Sequence, residues 1–152
     1  MAGGRRRLPD RCTEILGDCD LIVHAGDIMS IEALTEFEAI GPPLRAVTGN
    51  MDGWELRDRL PDELELDLEG ARLAMLHDAG PAAGRLERMR RRFPGADAVV
   101  FGHSHMPLHE RDGDFHIFNP GSPTERRRAP HHSMGVATIA DGSIGFELVV
   151  LG

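Results

Sequence analysis

The feature that most constrains this chain is a series of short apolar runs, each of which ends in polar residues and a turn. The runs cover residues 21–23, 44–47, 73–76, 98–101 and 115–118, and they lead into the sequences HAGD, TGNMD, HD, GHSH and NPGS. Apolar runs of this length, bounded by turn residues, predict buried strands.

Helices and hairpins are predicted between and after these strands. Apolar residues at positions 31, 34, 37 and 40 share one helical face, and a second helical pattern covers residues 86–93. The segment 64–76 alternates apolar and polar residues on both sides of a Glu-Gly turn, which predicts a β-hairpin, and the tail alternates in the same way. We therefore expect one α/β domain over residues 1–152, a β-sandwich of two sheets flanked by helices.

Composition and charge exclude several functions. The chain has a formal net charge of −8 and 17 basic residues, all of them arginine. The absence of lysine excludes Schiff-base chemistry and a phosphate-loop lysine, and the acidic balance argues against nucleic acid as a partner. No apolar stretch is long enough to cross a membrane or to form a signal-peptide core, so we expect a cytoplasmic protein. One basic cluster, ERRR at 125–128, follows a Gly-Ser turn and could face an anionic substrate.

Five polar side chains follow the predicted strands: Asp27, Asn50, His77, His103 and His105. Functional groups gather at the carboxyl ends of strands in α/β sheets, so these side chains should converge. Glycines precede three of them, at positions 26, 49 and 102, and glycine allows sharp turns and close backbone approach.

This set of donors predicts a divalent metal ion, with Mn²⁺ expected first and Fe²⁺, Ni²⁺ or Zn²⁺ as alternatives. A pair of ions about 3.5–4 Å apart clamps a phosphoryl group and activates water. In an extended segment His103 and His105 would point to opposite sides and serve neighbouring ions. Taken singly, each of the five residues has another explanation, such as a turn, a cap or a hydrogen-bonded histidine.

The order of these motifs resembles that of the calcineurin-like metallophosphoesterases: HAGD, GNMD, H, GHSH and NPGS. They are most similar to the small bacterial and archaeal single-domain phosphodiesterases often called YfcE-like. The resemblance runs from about residue 21 to the C-terminus, and GHSH followed by NPGS is its most specific part. It implies a two-sheet sandwich flanked by helices, a two-metal site, and hydrolysis of small phosphoesters, above all phosphodiesters, by a metal-activated water.

The resemblance also implies individual roles for the metal ligands. Asp27 would bridge the two ions, and His105 would belong to one of the two positions. The other position would be completed by Asn50, His77 and His103.

Further residues around the ligands also receive implied roles. Asp52 would orient a ligand or the substrate, and Asn119, Gly121 and Ser122 would shape the floor of the substrate pocket through backbone groups. Larger phosphatases of the superfamily carry a histidine after the motif asparagine as a proposed general acid. This chain has Met51 there, so its site should favour leaving groups that need little help from a proton.

The family begins with a strand that ends in Asp-x-His and supplies two ligands of the first metal, and no such motif precedes Asp27 here. Either this strand is encoded upstream of Met1, which the similarity of RRRLPD to the following loop favours, or the chain lacks it. We expect the first metal position to be weak or empty, and we expect neighbouring strand edges left unpaired to favour a homo-oligomer.

Two functional classes are compatible with these features. The first is a metal-dependent phosphodiesterase. The second is a catalytically impaired binding or scaffold protein, since a eukaryotic retromer subunit resembles the same fold and works through protein contacts. The ligands implied for the second metal position are all present: Asp27, Asn50, His77 and His103. This favours the enzyme, because a pure scaffold need not keep them. A nuclease is a third possibility, which the acidic charge disfavours.

Overall fold

The computed structural model describes residues 8–50, 52–125 and 127–152. The helices are α1 (Asp10–Gly17), α2 (Ile31–Glu38), α3 (Trp54–Arg59) and α4 (Arg85–Arg92). The strands are β1 (Ile22–His24), β2 (Leu44–Ala46), β3 (Glu63–Leu68), β4 (Ala71–Leu76), β5 (Ala98–Val100), β6 (Leu108–Asp112), β7 (Phe115–Asn119), β8 (Ser133–Ala140) and β9 (Ser143–Val150).

A five-stranded sheet with the order β3-β4-β5-β7-β6 lies at the centre of the fold. Its three inner strands, β4, β5 and β7, are parallel, and the outer strands β3 and β6 are antiparallel to their neighbours. The inner strands are apolar along almost their whole length because both faces of the sheet are covered. The five predicted strands and the predicted hairpin over 64–76 are therefore confirmed.

Packing on the two faces of this sheet forms the core. On one face, Met89 of α4 and the adjacent Phe93 pack against strand residues that include Val99. On the other face, Met75 of β4 packs with Ile144 of β9. Helices α2 and α3 cover the far side of β2 in a separate apolar cluster. The predicted α/β class with outer helices is confirmed.

The second layer consists of two small sheets rather than one. β1 and β2 form a parallel pair, and β8 and β9 form an antiparallel hairpin. Across residues 8–50, 52–125 and 127–152, no strand joins these two pairs into a continuous sheet. The first strand that the resemblance implies, encoded upstream of Met1 or absent, stays a prediction because none of the described residues tests it. The described part of the chain holds no helix long and apolar enough to cross a membrane.

Candidate functional site

The carboxyl ends of strands from both layers meet at one edge of the fold. The backbone N–H of Gly102, after β5, donates to the carbonyl oxygen of His77, after β4, at 2.9 Å. Nδ2 of Asn119, at the end of β7, donates to the carbonyl oxygen of Gly102 at 3.1 Å. Nδ1 of His77 donates to the carbonyl oxygen of Ala25, after β1, at 2.7 Å. These bonds hold four strand ends against one another.

Two glycines allow this close approach. A Cβ atom added to Gly26 would lie 2.6 Å from Nδ1 of His77, and the φ angle of Gly26 is +105°, which L side chains rarely adopt. A Cβ atom added to Gly49 would overlap both the backbone nitrogen and the carboxylate of Asp27. Glycine is therefore needed at these two positions because a side chain there would clash with His77 or Asp27.

The buried carboxylate of Asp52 joins the loops that follow β1 and β2. Its Oδ2 accepts hydrogen bonds from the backbone N–H groups of Gly49 at 2.8 Å and Asp27 at 3.2 Å, and its Oδ1 accepts from Met29 at 2.6 Å. Only 4 % of Asp52 is exposed, so these bonds replace its contact with water. Asp52 therefore holds the backbone from which Asp27 projects.

Arg57 of α3 completes this connection, and no feature of the sequence pointed to it. Its guanidinium donates to the carbonyl oxygens of Asp52 at 3.0 Å, Gly49 at 3.3 Å and Asn50 at 3.4 Å. Three carbonyl groups of the turn after β2 are thereby satisfied by a single side chain.

Four predicted ligand side chains form a continuous group. Nε2 of His77 lies 2.9 Å from Oδ1 of Asn50 and 3.2 Å from Oδ2 of Asp27. Nδ1 of His103 lies 3.3 Å from Oδ1 of Asn50 and 3.3 Å from Nε2 of His77. The side chains of Asp27 and His77 are 9 % and 8 % exposed, so the group lies at the base of the edge.

The protonation of His77 follows from its partners. A carbonyl oxygen only accepts, so Nδ1 carries a proton for Ala25, and Nε2 of the neutral ring is then a lone-pair donor atom. It faces the oxygens of Asn50 and Asp27, an arrangement that either a second proton on Nε2 or a shared cation satisfies. Burial is the largest influence on the pKa of His77 and lowers it. The hydrogen bonds to Asp27 and Ala25 and the nearby carboxylate charges outweigh burial, and the pKa lies above its ordinary value.

The GHSH segment is not extended, so the condition under which His103 and His105 would point to opposite sides does not hold. His103 and His105 have φ angles of 72° and 62°, both in the left-handed region. A Cβ atom added to Gly102 would meet only ordinary contacts at 3.5 Å or more. The left-handed turns therefore occur at His103 and His105 and not at Gly102. Non-glycine residues in this region store strain, which is common at functional sites.

His105 has different partners from His103. Its Nδ1 donates to the carbonyl oxygen of Glu125 at 2.5 Å, which leaves Nε2 as the lone-pair atom of the neutral ring. Burial and, after it, the charge of Arg127 lower the pKa of His105. The structure therefore gives His105 a support that is separate from the contacts of the group of four.

His24 stabilises the turn that leads to Asp27. Its Nδ1 accepts a hydrogen bond from the backbone N–H of Gly26 at 3.2 Å, and its ring packs edge-on against Phe37 of α2 at 5.0 Å. Burial lowers the pKa of His24 to about 4. The neutral ring is the form that can accept this hydrogen bond.

The NPGS segment supports the GHSH loop from below. Asn119 is fully buried, and its Oδ1 accepts from the backbone N–H of Gly121 at 2.9 Å while its Nδ2 bonds Gly102. Oγ of Ser122 accepts from the backbone N–H of Glu125 at 3.0 Å. Contact of Asn119, Gly121 and Ser122 with a substrate stays a prediction, and Met51 lies outside the described residues.

The spacing of the donor atoms is compatible with a metal ion. Ligands about 2.0–2.2 Å from an ion lie about 3–3.5 Å apart from one another, and the contacts within the group of four measure 2.9–3.3 Å. Within the described ranges, no three His, Cys, Asp or Glu side chains alone share an ion position. The fit therefore depends on the amide oxygen of Asn50, which lies between His77 and His103.

A cavity of about 360 Å³ opens beside this group. Asn50 and His77 form part of its wall, together with Arg57 and Asp78. Donor atoms that can hold a cation thus border a space that can admit a small molecule.

Comparison with known proteins gives this geometry a family. The calcineurin-like phosphoesterase superfamily domain matches residues 4–142. The chain belongs to the calcineurin-like phosphoesterase superfamily. The predicted resemblance is therefore confirmed.

Individual members and solved structures agree with this assignment. A probable metallophosphoesterase of Methanothermobacter thermautotrophicus is 36% identical over 133 residues, covering 79% of this chain and 74% of the relative. A phosphodiesterase of Methanocaldococcus jannaschii is 27% identical over 137 residues, covering 80% of each chain. The crystal structure of a Vps29 single mutant from Entamoeba histolytica has a TM-score of 0.77 and 17% identity, covering 100% of this chain and 94% of that one, which shows a shared fold.

Proposed function

We propose that this member of the phosphoesterase superfamily is a metal-dependent phosphodiesterase with a divalent ion bound where the strand ends meet. The ligands of that ion would be Asp27, Asn50, His77 and His103. The arrangement around Nε2 of His77 carries the proposal. Its other ring nitrogen is committed to a carbonyl group, and two oxygens and a further imidazole nitrogen surround Nε2 within 3.3 Å. One shared cation satisfies all of these atoms.

The first metal position, which we expect to be weak or empty in this chain, would share the carboxylate of Asp27 and use His105. The hydrogen bond from Nδ1 of His105 to the Glu125 carbonyl supports this role, because such a bond fixes the ring orientation and leaves Nε2 free for a ligand. The mixed oxygen and nitrogen donors suit Mn²⁺ first, and Fe²⁺, Ni²⁺ or Zn²⁺ as alternatives. Bound ions of this kind polarise a phosphoryl oxygen and lower the pKa of water.

The protein's own contribution is to hold these donors in place before substrate arrives. Asp52 and Arg57 hold the backbone of the two loops, and the Ala25 carbonyl determines the tautomer of His77. A small phosphodiester would enter the cavity beside Asn50. Preorganised groups of this kind cost little reorganisation during the reaction.

Hydrolysis of bis(p-nitrophenyl) phosphate tests the proposal. We expect turnover that depends on added Mn²⁺ and is abolished by a chelator. D27N should lose at least about a hundredfold in kcat/KM, since the carboxylate would contact both ions. D58N is the matched control, because Asp58 lies exposed on α3.

Absence of turnover with all four ions, in protein that remains folded, would refute the enzyme and leave the alternative of a binding protein that keeps the fold. Equal activity of D27N and the wild type would refute the ligand set.

A further inference from the structure

One cationic side chain at the candidate site is not used by the proposed metal centre. Nη1 of Arg127 donates to the carbonyl oxygen of His103 at 2.6 Å, and the residue is otherwise exposed to solvent. The backbone of Arg127 is in the left-handed region, with a φ angle of 50°. A non-glycine residue in this region is uncommon, and here it brings the guanidinium onto the GHSH loop.

The bonding of Arg127 differs from that of Arg57, which bonds the turn after β2. Arg57 gives its donors to three backbone carbonyl groups and so acts as a structural connection. Arg127 makes one hydrogen bond to the described part of the chain, and a guanidinium has five N–H donors. The single bond to His103 holds the group in place while most of its donors stay available.

The carboxylates around the site are a reason for a cation to lie there. Asp27 and Asp52 place carboxylates within the loops, and Asp78 borders the adjacent cavity. Because the chain contains no lysine, arginine supplies every permanent positive side-chain charge. Guanidinium groups match the oxygens of a phosphate, which they bind through two parallel hydrogen bonds.

We propose that Arg127 binds a non-bridging phosphoryl oxygen of the substrate and so helps to select phosphoesters. This role rests on the proposed function and adds a substrate-binding residue to it. The guanidinium is attached to the carbonyl of His103, so it is held on the loop that also carries His105. The GHSH loop of the proposed metal centre thus fixes the position of the guanidinium, although Arg127 is far from both histidines in the sequence.

Three variants test this role. R127Q removes the charge but keeps an amide that can bond the His103 carbonyl, R127K keeps the charge without the planar fork, and R128Q removes the charge of an exposed neighbour. The first measurement is calorimetric titration of inorganic phosphate into protein loaded with Mn²⁺. The second is KM and kcat for bis(p-nitrophenyl) phosphate, and the melting temperature is recorded for each variant.

We expect R127Q to weaken phosphate binding and to raise KM by about tenfold, the value for a charge-assisted hydrogen bond, with a smaller change in kcat. R127K should lie between R127Q and the wild type, and R128Q should equal the wild type. Equal phosphate affinity in R127Q and R128Q would overturn the inference. So would a loss in R127Q that affects kcat and melting temperature but not phosphate affinity, because that pattern belongs to a structural role.

The two proposals can fail separately. If the wild type does not hydrolyse the diester, the proposed function fails, while phosphate calorimetry still decides whether Arg127 binds the anion. If the wild type hydrolyses the diester and R127Q has unchanged KM and phosphate affinity, only the role of Arg127 fails. A wild-type protein that binds no phosphate would also overturn that role.

Discussion

Nε2 of His77 lies 2.9 Å from Oδ1 of Asn50, although the two residues are 27 positions apart and follow strands of different sheets. Asn50 comes after β2 in the small parallel pair, and His77 comes directly after β4 in the five-stranded sheet. The contact therefore crosses the boundary between the two layers. Anything that binds at this contact should also stabilise the packing of one layer on the other.

Metal binding should accordingly stabilise the fold. At a free Mn²⁺ concentration a hundred times the dissociation constant, the free energy of unfolding should rise by about 2.7 kcal/mol. H103A should lose most of this gain, because His103 supplies one donor of the proposed centre. The measurement is thermal unfolding with and without Mn²⁺. H131A is the control, since His131 is exposed, and an unreduced gain in H103A would contradict the prediction.

A methyl group at Gly49 should disrupt the site. G49A places Cβ against the backbone and carboxylate of Asp27, so one loop must move. Overpacking of this kind costs about 1–3 kcal/mol, and we expect metal affinity to fall with stability. Urea unfolding and Mn²⁺ calorimetry measure the two effects. G53A is the matched control, because a Cβ atom there meets nothing within 4 Å. Similar losses in both variants would contradict the steric explanation.

Removal of the Asp52 carboxylate should destabilise the fold and reduce activity together. D52A leaves the backbone N–H groups of Asp27, Met29 and Gly49 without their acceptor. Hydrogen bonds to charged groups contribute about 1.5–3 kcal/mol each, and we expect a total loss of about 3 kcal/mol or more by urea unfolding. D58A, on the exposed face of α3, should lose less than about 0.5 kcal/mol. Unchanged stability in D52A would show that these bonds contribute nothing.

Stability should fall in mild acid because of His24. Burial lowers the pKa of its folded form to about 4, whereas an unfolded histidine has a pKa of about 6.5. Between these values the unfolded chain binds the proton more strongly. The contribution of His24 is thus fully present above pH about 6.5 and is lost as the pH falls towards 4, by up to about 3 kcal/mol.

The variant H24N isolates this effect, since asparagine offers Gly26 an acceptor oxygen but does not titrate. Urea unfolding at several pH values between 4 and 7 should show a shallower decline in H24N than in the wild type. The same decline in both proteins would mean that other groups cause the acid sensitivity.

Much of the fold could be predicted from local pattern, and the exceptions have local causes. Strand β6 was not predicted, because residues 108–112 contain one apolar residue followed by four polar ones, as suits an exposed edge strand. Helix α3 was missed because its six residues provide less than two turns of periodicity. Helix α1 was missed for a similar reason, as its eight residues include one fully buried position, Cys12.

The residues of the site divide in the same way. The order of the motifs placed Asp27, Asn50, His77 and His103 after strands, and strand polarity alone brings such positions to one edge. The roles of Arg57 and Arg127 depend on which carbonyl groups lie within reach, and no periodicity records that. The left-handed turns of GHSH could not be predicted from the sequence, because the segment contacts distant parts of the chain.

The sequence by itself determined the class of the fold, the positions of most of its strands along the chain and the chemical types of the donors, because apolar periodicity and residue type act over a few neighbouring positions. Only the tertiary structure decided that Asn50 lies between His77 and His103, that Asp52 holds the backbone of Asp27, and that His105 has its own support. These contacts join segments separated by 20 positions or more, and they form only once the packing of the two layers brings the loops together.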